Sequence, residues 1–279
     1  ALGARHRTEL ETERLLTTPR HYAYLKISEG CNWKCGYCAI PLIRGPHVSV
    51  PMETLLEEAR KLAARGVREI MVIAQDTTYY GIDLYGRRRL AELLTALCRI
   101  DDIEWIRLHY AYPTAFPDDV IDVMASEPKI CKYLDIPFQH ISDRMLTAMK
   151  RRHTKADALA LIERLRERIP DIALRTTLLV GYPTETEQDM QELEQFVRDV
   201  RFDRLGVFAY SEEEGTYSAR ELRDDVPEEE KQRRVDRIMR LQEGISLENN
   251  LARVGRTMRV IVDSRQGDYY VARSQYDSP

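Results

Sequence analysis

Cys31, Cys35 and Cys38 place three of the chain's five cysteines within eight residues, spaced C-x3-C-x2-C. Three thiolates this close can hold a metal, but they leave one position of a tetrahedron or a cubane unfilled. A metal with an open position is what a catalytic centre needs. Three plainer readings compete. A disulfide is disfavoured by an odd triplet in a cysteine-poor chain, which points to a reducing compartment. A zinc knuckle completed by His47 lacks the second ligand pair that common zinc patterns carry. Buried structural thiols sit poorly in a loop containing Lys34 and Gly36. An iron–sulfur cluster with one iron free of protein ligands fits best, and a structural metal is the alternative.

The elements that must position these thiols follow from periodicity. Tyr22 to Ser28, β-branched and aromatic, reads as a strand, so the cysteines sit on the loop leaving its C-terminal end. Pro51 then opens a helix with an apolar stripe of Leu55, Leu56, Ala59, Leu62 and Ala63, ended by Gly66. Strands are expected at 68–74, 104–110, 131–136, 172–180 and 204–210. Helices are expected at 90–98, 117–125, 142–149 and 155–168, and a long charged one at about 227–252. Thr184-x-x-Glu187 reads as a capping box opening another, whose Met190, Leu193, Phe196, Val197 and Val200 face inward. Six strand–helix alternations predict an α/β fold with a parallel sheet, an open six-unit partial β/α barrel rather than a closed eightfold one. Loops at the C-terminal ends of such strands carry chemistry. The cysteine loop, Gln75-Asp76, Gln139-His140, Gly181-Tyr182-Pro183 and Ser211 all fall there.

The 279 residues suit one large domain, or one domain plus a small appendage. Residues 1–19 read as a linker, 20–254 as the core domain, and 255–279 as a β segment with a hairpin signal at Gly267-Asp268. The chain begins with Ala1, which hints at a processed or excised chain. No secretory signal and no apolar run of membrane-spanning length is present, which favours the cytoplasm and argues against a membrane partner. A net charge of −4 does not advertise nucleic-acid binding.

The cysteine spacing, with Tyr37 just before the last thiol, resembles that of the radical S-adenosylmethionine enzymes. Ser28-Glu29-Gly30-Cys31-Asn32, Cys38-Ala39-Ile40-Pro41-Leu42-Ile43-Arg44-Gly45 and Gln75-Asp76-Thr77-Thr78-Tyr79-Tyr80-Gly81 are similar to the methylthiotransferases of that superfamily. Within them the likeness is to the RimO type, which modifies an aspartate of ribosomal protein uS12; it runs from about Pro19 to the C-terminus. The resemblance implies a [4Fe–4S] cluster on Cys31, Cys35 and Cys38, with S-adenosylmethionine on the fourth iron. One electron, from a separate donor, then cleaves that cofactor to methionine and a 5′-deoxyadenosyl radical. Tyr37, Gln75, Asp76, Gln139, Arg175 and Gly181 are the expected cofactor contacts. Arg175 is assigned to a carboxylate, and Gly181 to close backbone approach near the adenine. A second glycine is expected where Thr184 stands. The C-terminal β segment resembles the opening of a TRAM domain, roughly half of a small barrel. The family also carries an N-terminal domain with three further cysteines that hold a second cluster. Only Cys98 and Cys131 are left over here, so the chain is expected to be the radical domain without its sulfur-delivery domain.

Cys98 and Cys131 read as small buried hydrophobes, and His109 and His140 as core or rim residues. Lys150-Arg151-Arg152-His153 and Glu212-Glu213-Glu214 read as solvated faces. The acids Asp76 and Glu212 to Glu214 near the strand ends, with only Arg44 following the cysteine loop, favour basic uS12 over tRNA. The tRNA-modifying branch of the same family and a non-enzymatic metal-binding module are the alternatives.

Overall fold

The computed structural model describes residues 15–278. The stretch read as a linker lies mostly outside them. Six strands form one parallel sheet in sequential order: β1 (Tyr22–Lys26), β2 (Glu69–Ile73), β3 (Trp105–Leu108), β4 (Ile130–Asp135), β5 (Ala173–Val180) and β6 (Arg204–Ala209). Each pairs only with its sequence neighbours, so the sheet stays open between β1 and β6, as the sixfold alternation predicts.

Strand alternation sorts side chains onto two faces. Ala23, Leu25, Ile70, Val72, Ile106, Leu108, Leu174 and Leu178 join the main apolar core under the helices. Trp105, Cys131, Tyr133 and Ala173 form a separate cluster on the concave face. The covering helices are α1 (Met52–Ala64), α2 (Leu90–Cys98), α3 (Asp118–Ser126), α4 (Asp143–Ala148), α5 (Lys155–Arg168) and α6 (Glu187–Val200), with α7 (Tyr217–Glu221) and α8 (Glu228–Leu251) after β6. The five apolar residues expected to face inward on α6 are all buried, and each contributes roughly 1.5–3 kcal/mol.

The helix α6 corrects one expectation. Its capping box is Thr186 with Asp189, not Thr184 with Glu187: Asp189 N–H donates to Thr186 Oγ1 at 3.3 Å, and Thr186 N–H to the Asp189 carboxylate at 2.8 Å. Both pairs share the same spacing, but an N-cap needs extended backbone and Thr184 has φ +71. Thr184 adopts the left-handed conformation that the expected glycine would have taken.

The C-terminal segment forms the expected hairpin, β7 (Val260–Gln266) and β8 (Tyr269–Ser274), antiparallel around Gly267-Asp268. It is tied to the floor of the open barrel. Ile261 and Tyr276 pack on the concave cluster. Glu69, fully buried on β2, accepts from Arg107 Nε at 2.8 Å and Arg273 Nη2 at 2.7 Å. Arg107 also donates to the carbonyls of Ser274 and Gln275. Among the described residues no helix is long and apolar enough to cross a membrane.

Candidate functional site

The cysteine loop leaves β1 and is gripped from three sides. Its entry turns at Gly30, φ +75, where a Cβ would overlap the Pro46 carbonyl oxygen, so a side chain is excluded. Cys31 N–H donates to Gly45 O at 3.1 Å, and His47 N–H to Asn32 Oδ1 at 3.1 Å. Further along, Gly36 N–H donates to Met149 O at 2.8 Å and Ser218 N–H to Gly36 O at 2.9 Å. A Cβ on Gly36 would stand 2.9 Å from Tyr182 Oη, which is itself bound to Ser218 Oγ and Ala148 O. The turn after α4, the loop after β5 and helix α7 therefore all hold one glycine between Cys35 and Cys38.

An aromatic wall flanks the thiols. Trp33 stacks on Tyr112, centroids 4.2 Å apart and planes 9° apart. Its Nε1–H donates to Asp76 Oδ2 at 2.7 Å, while Asp76 Oδ1 accepts from Thr78 N–H and Oγ1–H. Behind this wall lies a residue the sequence reading placed in solvent. Arg151 is buried; its Nη1 is 3.5 Å from both Cys35 Sγ and Tyr37 Oη, its Nη2 donates to Pro137 O at 2.6 Å, and its guanidinium lies 4.3 Å from the Tyr112 ring centroid. His153 is buried too, so the basic run 150–153 is not a solvated face.

The helix α4 explains how a charged run turns inward. Arg151 N–H donates to Leu146 O and Lys150 N–H to Thr147 O, the paired bonds of a Schellman cap. Lys150 takes the left-handed position at φ +55, and its ammonium lies 3.1 Å from the Tyr217 ring centroid. The reversal aims Arg151 at Cys35. A helix end directly followed by arginine was the available signal, obscured by the run of like charges around it.

The other expected contacts fall as follows. Tyr37 packs against the buried cluster formed by Met145, Met149, Leu179, Tyr182 and Tyr210. Gln75 Nε2–H donates to Glu29 Oε1 at 3.0 Å, and its buried Oε1 has no partner among the described residues. Asp76 is saturated by Trp33 and Thr78. Gln139 has φ +70, and its main chain bridges to β5, donating to Thr177 O and accepting from Leu179 N–H. Gly181 N–H donates to Glu185 Oε2 at 2.6 Å, and a Cβ there would overlap Lys231 Cγ on α8. Glu185 also accepts from Arg234 and from His140 Nε2; His140 Nδ1 accepts from two main-chain amides, which puts the ring proton on Nε2. His140 is thus a fully paired core residue. Arg175 pairs with Asp135 at 3.3 Å and lines a cavity of about 750 Å³ with Arg204, residues of α8 and Asp277; the cysteine loop contributes nothing to that cavity.

Burial pushes the Cys31 thiol up to about 11, with Asp76, Cys35 and Cys38 adding to the rise, and burial raises Cys38 as well. Such thiols ionise at neutral pH only when a cation arrives, and metal binding releases their protons. Among the described residues no trio of His, Cys, Asp or Glu side chains is gathered as a metal site. The His47 ring faces Ser49 and Asp83, at 3.1 and 3.9 Å. The donor set nevertheless suits an iron–sulfur cluster: three thiols on one loop, with a guanidinium aimed at one of them. Cys98 and Cys131 are buried, and burial pushes them to about 11 and about 12.

Residues 25–197 match the family model described as the Radical SAM superfamily. The chain belongs to the radical SAM superfamily. Solved structures agree on the fold alone: coproporphyrinogen III oxidase of Escherichia coli, a radical SAM enzyme, superposes with a TM-score of 0.57 at 20% identity, covering 83% of this chain and 53% of that one. Methylornithine synthase gives 0.55 at 14% identity, over 84% of this chain and 69% of that one. Among curated relatives, proteins named ribosomal protein uS12 methylthiotransferase RimO are 55% identical in Bacteroides thetaiotaomicron and 56% in Porphyromonas gingivalis, over 100% of this chain. The radical SAM chain described here spans 64% of the length of these relatives.

Proposed function

We propose that this chain is the radical core of an enzyme that methylthiolates an aspartate of ribosomal protein uS12. What carries the reading is the identity of 55% along the whole chain to relatives of that name. The loop of Cys31, Cys35 and Cys38, fixed at the strand ends, supports it. These cysteines would hold a [4Fe–4S] cluster, which with S-adenosylmethionine and one electron from an external donor supplies a radical that removes hydrogen from carbon. The chain's own part is to anchor the loop through Gly36, to wall it with Trp33 and Tyr112 against water, and to keep a cation beside Cys35. Gln75 Oε1, an unpaired acceptor near Glu29, suits an ammonium group. A ribosomal substrate implies work in the cytoplasm.

The preference for a basic protein over tRNA rests on Glu212, Glu213 and Glu214, which are exposed after β6. Asp76 adds nothing, because it is buried beneath Trp33. We read residues 255–279 as the opening of a TRAM-like barrel docked on the core.

Anaerobic reconstitution with iron and sulfide, followed by an assay for 5′-deoxyadenosine, tests the chemistry; a colourless protein that leaves S-adenosylmethionine intact overturns it. Binding to uS12 and to tRNA at two salt concentrations tests the substrate. Tight tRNA binding with a steep salt slope, and none to uS12, moves the chain to the tRNA-modifying branch.

A further inference from the structure

Arg151 has entered so far only as a cation beside Cys35, and it is a buried guanidinium set close to the thiols. Its Nη1 points at Cys35 Sγ at 3.5 Å, and Tyr112 Oη stands 3.7 Å from the same sulfur. The guanidinium is fixed by Pro137 O on one side and by the Tyr112 ring on another, so it cannot swing away into water. Among the described residues no carboxylate neutralises it: the groups facing it are Cys35, Tyr37, Tyr112 and a backbone carbonyl. A buried cation without a buried anion is costly unless something anionic completes the site. Here one group it faces is the sulfur of Cys35, which is anionic when it ligates a metal.

We propose that Arg151 sets the reduction potential of the cluster held at Cys35, making its one-electron reduction easier. This rests on the cluster reading above. Reduction by one electron adds one negative charge on the cluster side of Cys35. A fixed positive charge and a hydrogen bond on a ligating sulfur favour the more negative state, and net charge and hydrogen bonds to sulfur are among the main levers on such potentials. The Schellman turn at Lys150 is what delivers the side chain, so helix α4 acts as the positioning element.

The test is an anaerobic redox titration, read by electron paramagnetic resonance, of reconstituted wild type, Arg151→Gln, Arg151→Lys and Tyr112→Phe, with iron and sulfide content measured for each. Arg151→Gln, iron-replete, is expected to disfavour reduction at least tenfold, a negative shift of about 59 mV or more for one electron. Tyr112→Phe, which keeps the ring and removes one hydroxyl, is expected to shift the same way by less. Arg151→Lys keeps the charge and is expected to fall between wild type and Arg151→Gln. An iron-replete Arg151→Gln protein at the wild-type potential overturns the inference. Should that variant fail to hold iron, Arg151→Lys and Tyr112→Phe both at the wild-type potential overturn it equally. A wild type that binds no cluster sinks the underlying reading instead, which separates the two failures.

Discussion

Gly181 offers two physical reasons for being glycine, and they predict different failures. One is close approach to a cofactor. The other is steric: the residue has φ +70, and a Cβ there would overlap Lys231 Cγ. Left-handed backbone costs an alanine about 1–2 kcal/mol, and forcing a methyl into a packed site costs about 1–3 kcal/mol more. Gly181→Ala is therefore expected to lose about 3 kcal/mol. Lys231 is buried and paired with Asp224 at 2.5 Å. Asp224 is part-exposed, so solvent compensates part of the loss in Lys231→Ala, leaving about 1–2 kcal/mol. The double variant removes the overlap but keeps the backbone strain, so it should be more stable than the sum of the singles by about 1–3 kcal/mol. Urea unfolding reads this directly: with a slope of about 3 kcal/mol/M, Gly181→Ala moves the midpoint down by about 1 M. Strictly additive singles would refute the Lys231 argument. An unchanged midpoint in Gly181→Ala together with lost cofactor binding would show that ligand approach was the reason after all.

Three further outcomes are expected. Cys31→Ala, Cys35→Ala and Cys38→Ala should each fail to retain reconstituted iron, whereas Cys98→Ala and Cys131→Ala should keep it; iron assay after desalting decides. Glu69→Gln removes the buried anion that Arg107 and Arg273 share; Asp263 still accepts from Arg273, but Arg107 is left with carbonyl partners. The change should cost about 3–5 kcal/mol and make the β7–β8 hairpin a site of early proteolysis; an unchanged melting temperature would contradict this floor. His153, buried against Phe138, is held down to about 3 from 6.5 by burial and then by Arg151, with Asp157 opposing. Its native form is neutral, so below pH 6.5 the unfolded chain binds a proton that the native state refuses, and stability falls progressively toward pH 3. At pH 5 the loss is about 2 kcal/mol, and His153→Phe should remove it from a urea-midpoint series between pH 7 and 5.

The sheet was legible because parallel strands and their helices repeat a strong local signal, and because a cysteine triplet after a strand has few chemical uses. What local pattern could not reveal was anything decided across the sheet. Glu69 and Arg107 sit one each on neighbouring strands, and nothing in either strand says that they meet over a third residue more than 150 positions away. The capping box failed for a narrower reason: Thr184 and Thr186 offer the same side-chain spacing, and only the handedness of the backbone at Thr184 separates them. Arg175, expected to meet a cofactor carboxylate, pairs instead with Asp135 and lines a cavity to which the cysteine loop contributes nothing.

Arg151 makes the general point most sharply. Four consecutive basic or titratable residues read as a solvated face because desolvating a charge is expensive, and for isolated charges that inference is sound. It failed here because the run straddles a helix terminus. A Schellman cap reverses the chain within two residues, so Lys150 faces Tyr217, Arg151 turns to Cys35, Arg152 stays outside and His153 goes into the core. Charge runs at helix ends deserve a different prior from charge runs along helix faces. On a face, neighbours at i and i+1 share solvent; past a cap, each residue is assigned its own direction. The desolvation cost that argued for a surface position then becomes an argument for function, since a buried guanidinium persists only where an anion is expected.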